Sequence, residues 1–202
     1  MKKTLIFDFD GVVVDSLTIA FEVNRMTRPT LTLESYKDKF RNNDWIRAGS
    51  KAVWDEPTNG SVVDFQEEFA KKMTTLKLKP EKKAVLQKLG EKYNLHIISS
   101  TDTETIKAFL RSNGIDQLFG EVLGFDIEPS KTKKFQMLFK KYNLNPMELI
   151  FVTDTAGDIE EAREVGISTI VAVADGYQGR EVLEAAEPAH TIDSIVDLEK
   201  VI

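Results

Sequence analysis

No cysteine occurs among the 202 residues. That excludes disulfides, thiolate metal centres and cysteine nucleophiles, and it fits a reducing cytoplasm. Histidine is almost as scarce. His96 falls inside a strand-like apolar run and His190 follows Pro188-Ala189, so the two do not have metal-ligand spacing. Long hydrophobic runs are missing as well. Leu5-Ile6-Phe7, after Met1-Lys2-Lys3, stops at Asp8, too short for a signal-peptide core, and no stretch approaches a membrane span. Basic residues do not outnumber acidic ones: the net charge is -6, which argues against a nucleic-acid partner. Neither a glycine-rich triphosphate loop nor a Gly-x-Ser-x-Gly elbow is present. With 42% apolar and 30% charged residues, the composition is that of a folded globular chain rather than a disordered one.

What is present alternates. Thr4 to Phe9 reads as a short buried strand broken by Asp8, Asp10 and Gly11. Further strands are expected at Leu95 to Ile98, Val122 to Phe125, Leu149 to Val152 and Thr169 to Val173. Helices are expected at Thr103 to Ser112, Lys131 to Tyr142 and Ile159 to Val165. This predicts an α/β, Rossmann-like three-layer fold with a mostly parallel sheet. Between Ser16 and Pro80 the texture turns polar, with Phe65, Phe69, Met73 and Leu76 at helical spacing. The expected division is a core of residues 1–15 and 81–202 with a small helical cap, residues 16–80, inserted after the first strand.

In parallel sheets ligands bind beyond the carboxyl ends of the strands. The residues expected there are Asp8, Asp10, Ser99, Ser100 and Asp154. Asp8 and Asp10 point to one side of an extended chain, roughly 6.5–7 Å apart; alone, the pair reads equally as a turn. Asp154 ends a buried strand, and Asp158 could simply favour a helix start. If all four carboxylates meet, mutual repulsion raises their pKa values and a cation is needed, for which hard oxygen ligands suit magnesium. Ser99-Ser100 precede a predicted helix start, with Thr101 as N-cap and Glu104 completing a capping box. The same place is a candidate phosphate cradle. Lys131 shares the buried stripe of Phe135, Leu138, Phe139 and Tyr142, so its inward charge needs an anionic partner. Lys134 is the alternative to it.

Asp8-Phe-Asp-Gly-Val-Val-Val-Asp-Ser16, then Ser99, Lys131 and Asp154-x-x-x-Asp158, together resemble the four ordered motifs of the haloacid dehalogenase superfamily, in its phosphoglycolate-phosphatase and β-phosphoglucomutase-like branch. Thr153 stands where many members have glycine, Val12 where threonine is common, and no proline follows Lys131. The resemblance implies a magnesium-dependent phosphohydrolase acting through an aspartyl-phosphate on Asp8, with Asp10 as acid and base. It implies Mg2+ at Asp8, Asp154 and the Asp10 carbonyl, with Asp158 orienting metal-bound water or Lys131. Ser99, Ser100 and Lys131 would hold the phosphoryl group.

In the cap, Arg25, Arg28, Arg41, Arg47 and Lys51 could meet an anionic substrate tail, Arg41 first among them. A phosphomutase and a non-catalytic phosphoryl-binding module are the alternative functions. The expected partner is a small phosphorylated metabolite, with neither nucleic acid nor membrane, and the protein is expected to be a monomer or homodimer.

Overall fold

The computed structural model describes residues 2–41, Trp54 and residues 56–202, with Arg41 described by its backbone alone. Its centre is a parallel sheet of β1 (Thr4–Phe7), β2 (Asn94–Ile98), β3 (Phe119–Leu123), β4 (Leu149–Thr153), β5 (Thr169–Val173) and β6 (His190–Ile192). The strand order is β3-β2-β1-β4-β5-β6, so β1 is central, with Thr4 opposite Asn94 on one side and Leu149 on the other.

Near-continuous apolar strands mark a sheet buried on both faces. Successive side chains then feed two different cores. Leu5, Phe7, Ile97, Val152 and Val171 enter one. Ile6, Ile98, Phe151, Ile170 and Ala172 enter the other. The first is covered by α4 (Pro80–Lys92) and α5 (Thr103–Ser112), and it continues outward into Ala20, Val23, Tyr36 and Phe69. These belong to α1 (Leu17–Thr27), α2 (Leu33–Arg41) and α3 (Phe65–Met73), which fall between β1 and α4. The second face is covered by α6 (Lys131–Tyr142), α7 (Ala156–Glu164) and α8 (Arg180–Ala185).

Several boundaries differ from the sequence reading. β3 lies three residues earlier than expected at its start and stops at Leu123, leaving Phe125 half-exposed. α7 begins at Ala156 because the Thr155 hydroxyl accepts from the Asp158 backbone N–H. α5 is capped by Asp102, which accepts from the Thr105 N–H at 3.0 Å; Thr101 is not the cap. Tyr142 lies at the edge of the α6 stripe rather than inside it. Its hydroxyl donates to Glu121 and its ring sits 4.9 Å from His96.

His96 is structural, as its place in β2 suggests. The Glu121 N–H donates to its Nδ1 at 3.1 Å, and burial lowers its pKa from the usual imidazole range. A depressed folded value means that the unfolded chain binds the proton first as pH falls. The His96 contribution is therefore present above the unfolded histidine pKa of about 6.5 and is lost as pH drops through the folded value. Urea midpoints at pH 7 and pH 5 should differ less in His96→Gln than in the parent.

Candidate active site

The carboxyl edge of the sheet gathers the expected residues from three strand ends and from the start of α6. Asp8 follows β1, and its backbone N–H continues the pairing by donating to the Val152 carbonyl at 2.8 Å. Lys131, the first residue of α6, is buried, and its ammonium lies between Asp8 Oδ2 at 2.7 Å and Asp158 Oδ2 at 2.5 Å. The Ser130 hydroxyl caps the helix above it by accepting from the Lys133 N–H. The partner that the inward lysine required is thus a pair of carboxylates. Lys134 is equally buried but turns away, donating to the Ser99 carbonyl at 2.5 Å. Lys131 is therefore the lysine at the carboxylates.

This arrangement divides the acids instead of raising all four. Burial pushes the Asp8 carboxyl well above the carboxylate range. The nearby Asp158 and Asp154 charges add to this and Lys131 opposes it. Asp154 is pushed up to about 7, chiefly by burial, against the Tyr177 N–H that donates to its Oδ2 at 2.6 Å. Asp10 is raised by burial, although hydroxyls donate to it. Asp158 alone moves down: burial would raise it, but Lys131, Asp8 and the Thr153 hydroxyl at 2.7 Å from Oδ2 together outweigh that. The threonine that departs from the family pattern holds the acid that holds the lysine.

Asp10 does not share a centre with the other three through its carboxylate. Ser16 Oγ donates to Oδ1 at 2.6 Å, Thr101 Oγ1 to Oδ2 at 2.7 Å, and Ser99 Oγ to Oδ2 at 3.4 Å. Its carboxylate is thus taken up by three hydroxyls. Asp158, bound to Lys131 and Thr153, is likewise engaged. Among the described residues no three acidic or histidine side chains converge as a cation cage. Asp8 accepts from Lys131 and from the Phe9 N–H, and Asp154 accepts from the Tyr177 N–H.

Ser99 is fully buried with its hydroxyl accepting from the Thr101 N–H at 3.0 Å, whereas Ser100 and Thr101 line the cavity. That cavity, about 880 Å³, opens over Asp8, Asp10, Lys131, Asp154 and Asp158. Arg41 ends α2, but its side chain, like Arg47 and Lys51, lies outside the described residues. Thr101, Ser16, Tyr177 and Gln178 are contributors that the sequence reading passed over. Tyr177 and Gln178 follow β5 at the same carboxyl edge, which is the signal that could have found them. Glycines complete the cradle: a Cβ on Gly11, at φ +74°, or on Gly176 would overlap the Asp154 carboxylate.

The sequence matches the haloacid dehalogenase-like hydrolase family over residues 5–172. The chain belongs to this family. Among relatives, a protein of Synechococcus elongatus named phosphoglycolate phosphatase is 28% identical over 97% of this chain and 95% of its own. A Vibrio vulnificus protein of the same name is 26% identical over 99% and 96%. Among solved structures, a haloacid dehalogenase-like protein of Agrobacterium tumefaciens aligns with a TM-score of 0.78 at 21% identity, covering 100% of this chain and 97% of its own. The family's fold thus extends over the whole chain, and the enzyme is a hydrolase.

Proposed function

We propose that this hydrolase is a magnesium-dependent phosphatase of small phosphate monoesters that works through an aspartyl-phosphate on Asp8. The observation that carries the reading is the Lys131 ammonium bridging Asp8 and Asp158 at the floor of the cavity. A buried cation beside a strand-end carboxylate is suited to draw in a phosphoryl dianion and offset charge as it develops on the phosphorus-bound oxygens. Relatives named phosphatase support the same reading.

The donor set fits Mg2+. Asp8 and Asp154 are hard oxygen ligands whose raised pKa values reflect burial and mutual repulsion that a cation would relieve, and the Asp10 carbonyl supplies a third oxygen. Bound there, Mg2+ would act as a Lewis acid on a phosphoryl oxygen. The protein's own groups supply the remaining chemistry. Asp8 attacks phosphorus as the ester oxygen departs, so the phosphoryl group moves onto its carboxylate. Asp10, held in place by Ser16 and Thr101, gives a proton to the leaving oxygen, then takes one from the water that cleaves the acyl phosphate. Asp158 positions Lys131. Residues 16–80 act as a cap over the core of residues 1–15 and 81–202, and their closure excludes bulk water. The site of action is the cytoplasm.

Phosphate release from a panel of esters, measured with and without magnesium, tests the reading. Release that is stoichiometric with ester consumed and abolished by chelation is expected; isomerised ester without free phosphate would convert the assignment to a phosphomutase. Gly176→Ala should act on the same step. Its methyl group displaces the Asp154 carboxylate, and misplacement on the ångström scale costs roughly 10²-fold in turnover. The magnesium concentration for half-activity should rise with it.

A further inference from the structure

Away from the carboxylates, the cavity wall is aromatic. Tyr36, Phe40 and Trp54 line it together with Phe65 and Phe69 of α3. The rings form a connected belt. Phe40 meets Tyr177 edge-on at 4.8 Å, Tyr36 meets Phe40 edge-on at 5.2 Å, and Tyr36 stacks on Trp54 at 6.3 Å. Tyr177 carries the belt to the catalytic floor, since its backbone N–H holds Asp154. Phe65 stacks on Phe69 at 5.5 Å yet remains 36% exposed, so it lines the opening instead of filling a core.

Among the described lining residues Lys131 is the only lysine or arginine, and it is already bound to two carboxylates. A second anionic group on the substrate would meet, among those residues, rings and Glu161; the Arg28 guanidinium and the Lys39 ammonium, which are not in that lining, lie 4.2 and 5.4 Å from the Trp54 centroid. A two-carbon acid would also leave most of the 880 Å³ to water. Cavities of several hundred cubic ångströms lined by aromatic side chains suit ring-bearing ligands, for which offset or edge-on ring contacts add to burial.

We propose that the preferred substrates are phosphate monoesters of alcohols bearing an aromatic ring, with the phosphoryl group on Asp8 and the ring against Phe40, Trp54 and Phe65, which the buried rings of Tyr36 and Phe69 support. The inference rests on the phosphatase reading and sharpens it. Benzyl phosphate, ethyl phosphate and phosphoglycolate separate the possibilities, because their alcohols are comparably poor leaving groups while only the first carries a ring. With magnesium present, kcat/KM for benzyl phosphate should exceed that for each of the others by about tenfold or more. Phe65→Ala, at an exposed edge, and Phe40→Leu, which keeps apolar bulk, should each lower the benzyl-to-ethyl ratio by at least about threefold. Equal or better turnover of ethyl phosphate or phosphoglycolate overturns the substrate assignment and leaves the phosphatase standing. An unchanged ratio in both variants overturns the belt. If no ester releases phosphate, the phosphatase reading fails and this inference falls with it.

Discussion

Asp8→Asn should abolish phosphate release, by about 10⁴-fold or more, while the protein stays folded. The amide is isosteric but carries a single oxygen, so it can accept from the Lys131 ammonium or from the Phe9 N–H, which now donate to Oδ2 and to Oδ1 at 2.7 Å, and not from both. It cannot become an acyl phosphate. Burial and the charges of Asp158 and Asp154 already disfavour the ionised Asp8, so removing that charge relieves repulsion. The relieved repulsion is set against one lost acceptor, so the melting temperature without added metal should change by only a few degrees. Turnover, circular dichroism and melting curves of parent and variant, measured side by side, decide the matter. Substantial residual turnover would eliminate Asp8 as nucleophile, and loss of the folded signal would make its role structural.

Lys131→Met should damage both stability and turnover. It leaves Asp8 and Asp158 without their cation in a buried place, a change that typically costs about 3–5 kcal/mol. Removing a charge that stabilises the transition state should separately lower kcat by about 10²–10³-fold. The pH dependence carries a sign that identifies the cause. Lys131 has its pKa raised, by Asp158 and Asp8 against the desolvation that opposes them, so its contribution holds below the unfolded lysine value and is lost as pH climbs through the folded one. Asp158 has its pKa lowered, so its share holds above the unfolded carboxyl value and is lost as pH falls through the folded one. The parent should therefore gain from the pair across neutral pH. In the variant, stability should improve on mild acidification as the orphaned carboxyls take up protons. Adding Asp158→Asn should recover much of the melting temperature and none of the turnover. Equal recovery of both would mean that Lys131 serves only the fold.

The sheet was legible because its strands are short, apolar and spaced by helix-period segments; β5 and α6 fall where periodicity places them. Lys131 was legible for a related reason, since a lysine on a buried stripe implies a buried anion. Legibility failed where two local signals competed for one side chain. Thr101 and Glu104 look like a capping box, but Asp102 is the stronger cap and the Thr101 hydroxyl is drawn across space to Asp10. The separate fates of Asp10 and Asp158 were invisible for the same reason. They depend on Ser16, Thr101, Thr153 and Lys131, partners distant in the chain or unremarkable in type. The cavity's aromatic wall was hidden too, because helix periodicity gives Phe65 and Phe69 one face, whereas in the fold protein buries Phe69 and leaves Phe65 at the opening.

The central position of β1 has a consequence for how the molecule comes into being. The strand that leads to Asp8 precedes the other five, yet its neighbours begin at Asn94 and Leu149, far along the chain. Until β4 emerges, Thr4–Phe7 has an open flank, and both of its faces lack part of their cover. Pairings between segments so far apart in sequence form slowly, and an apolar strand left waiting is a site for association with other chains. Asp8 and Asp10, closing that strand with charge, then serve the nascent chain before they serve any substrate: they interrupt the apolar run where a longer one would stick.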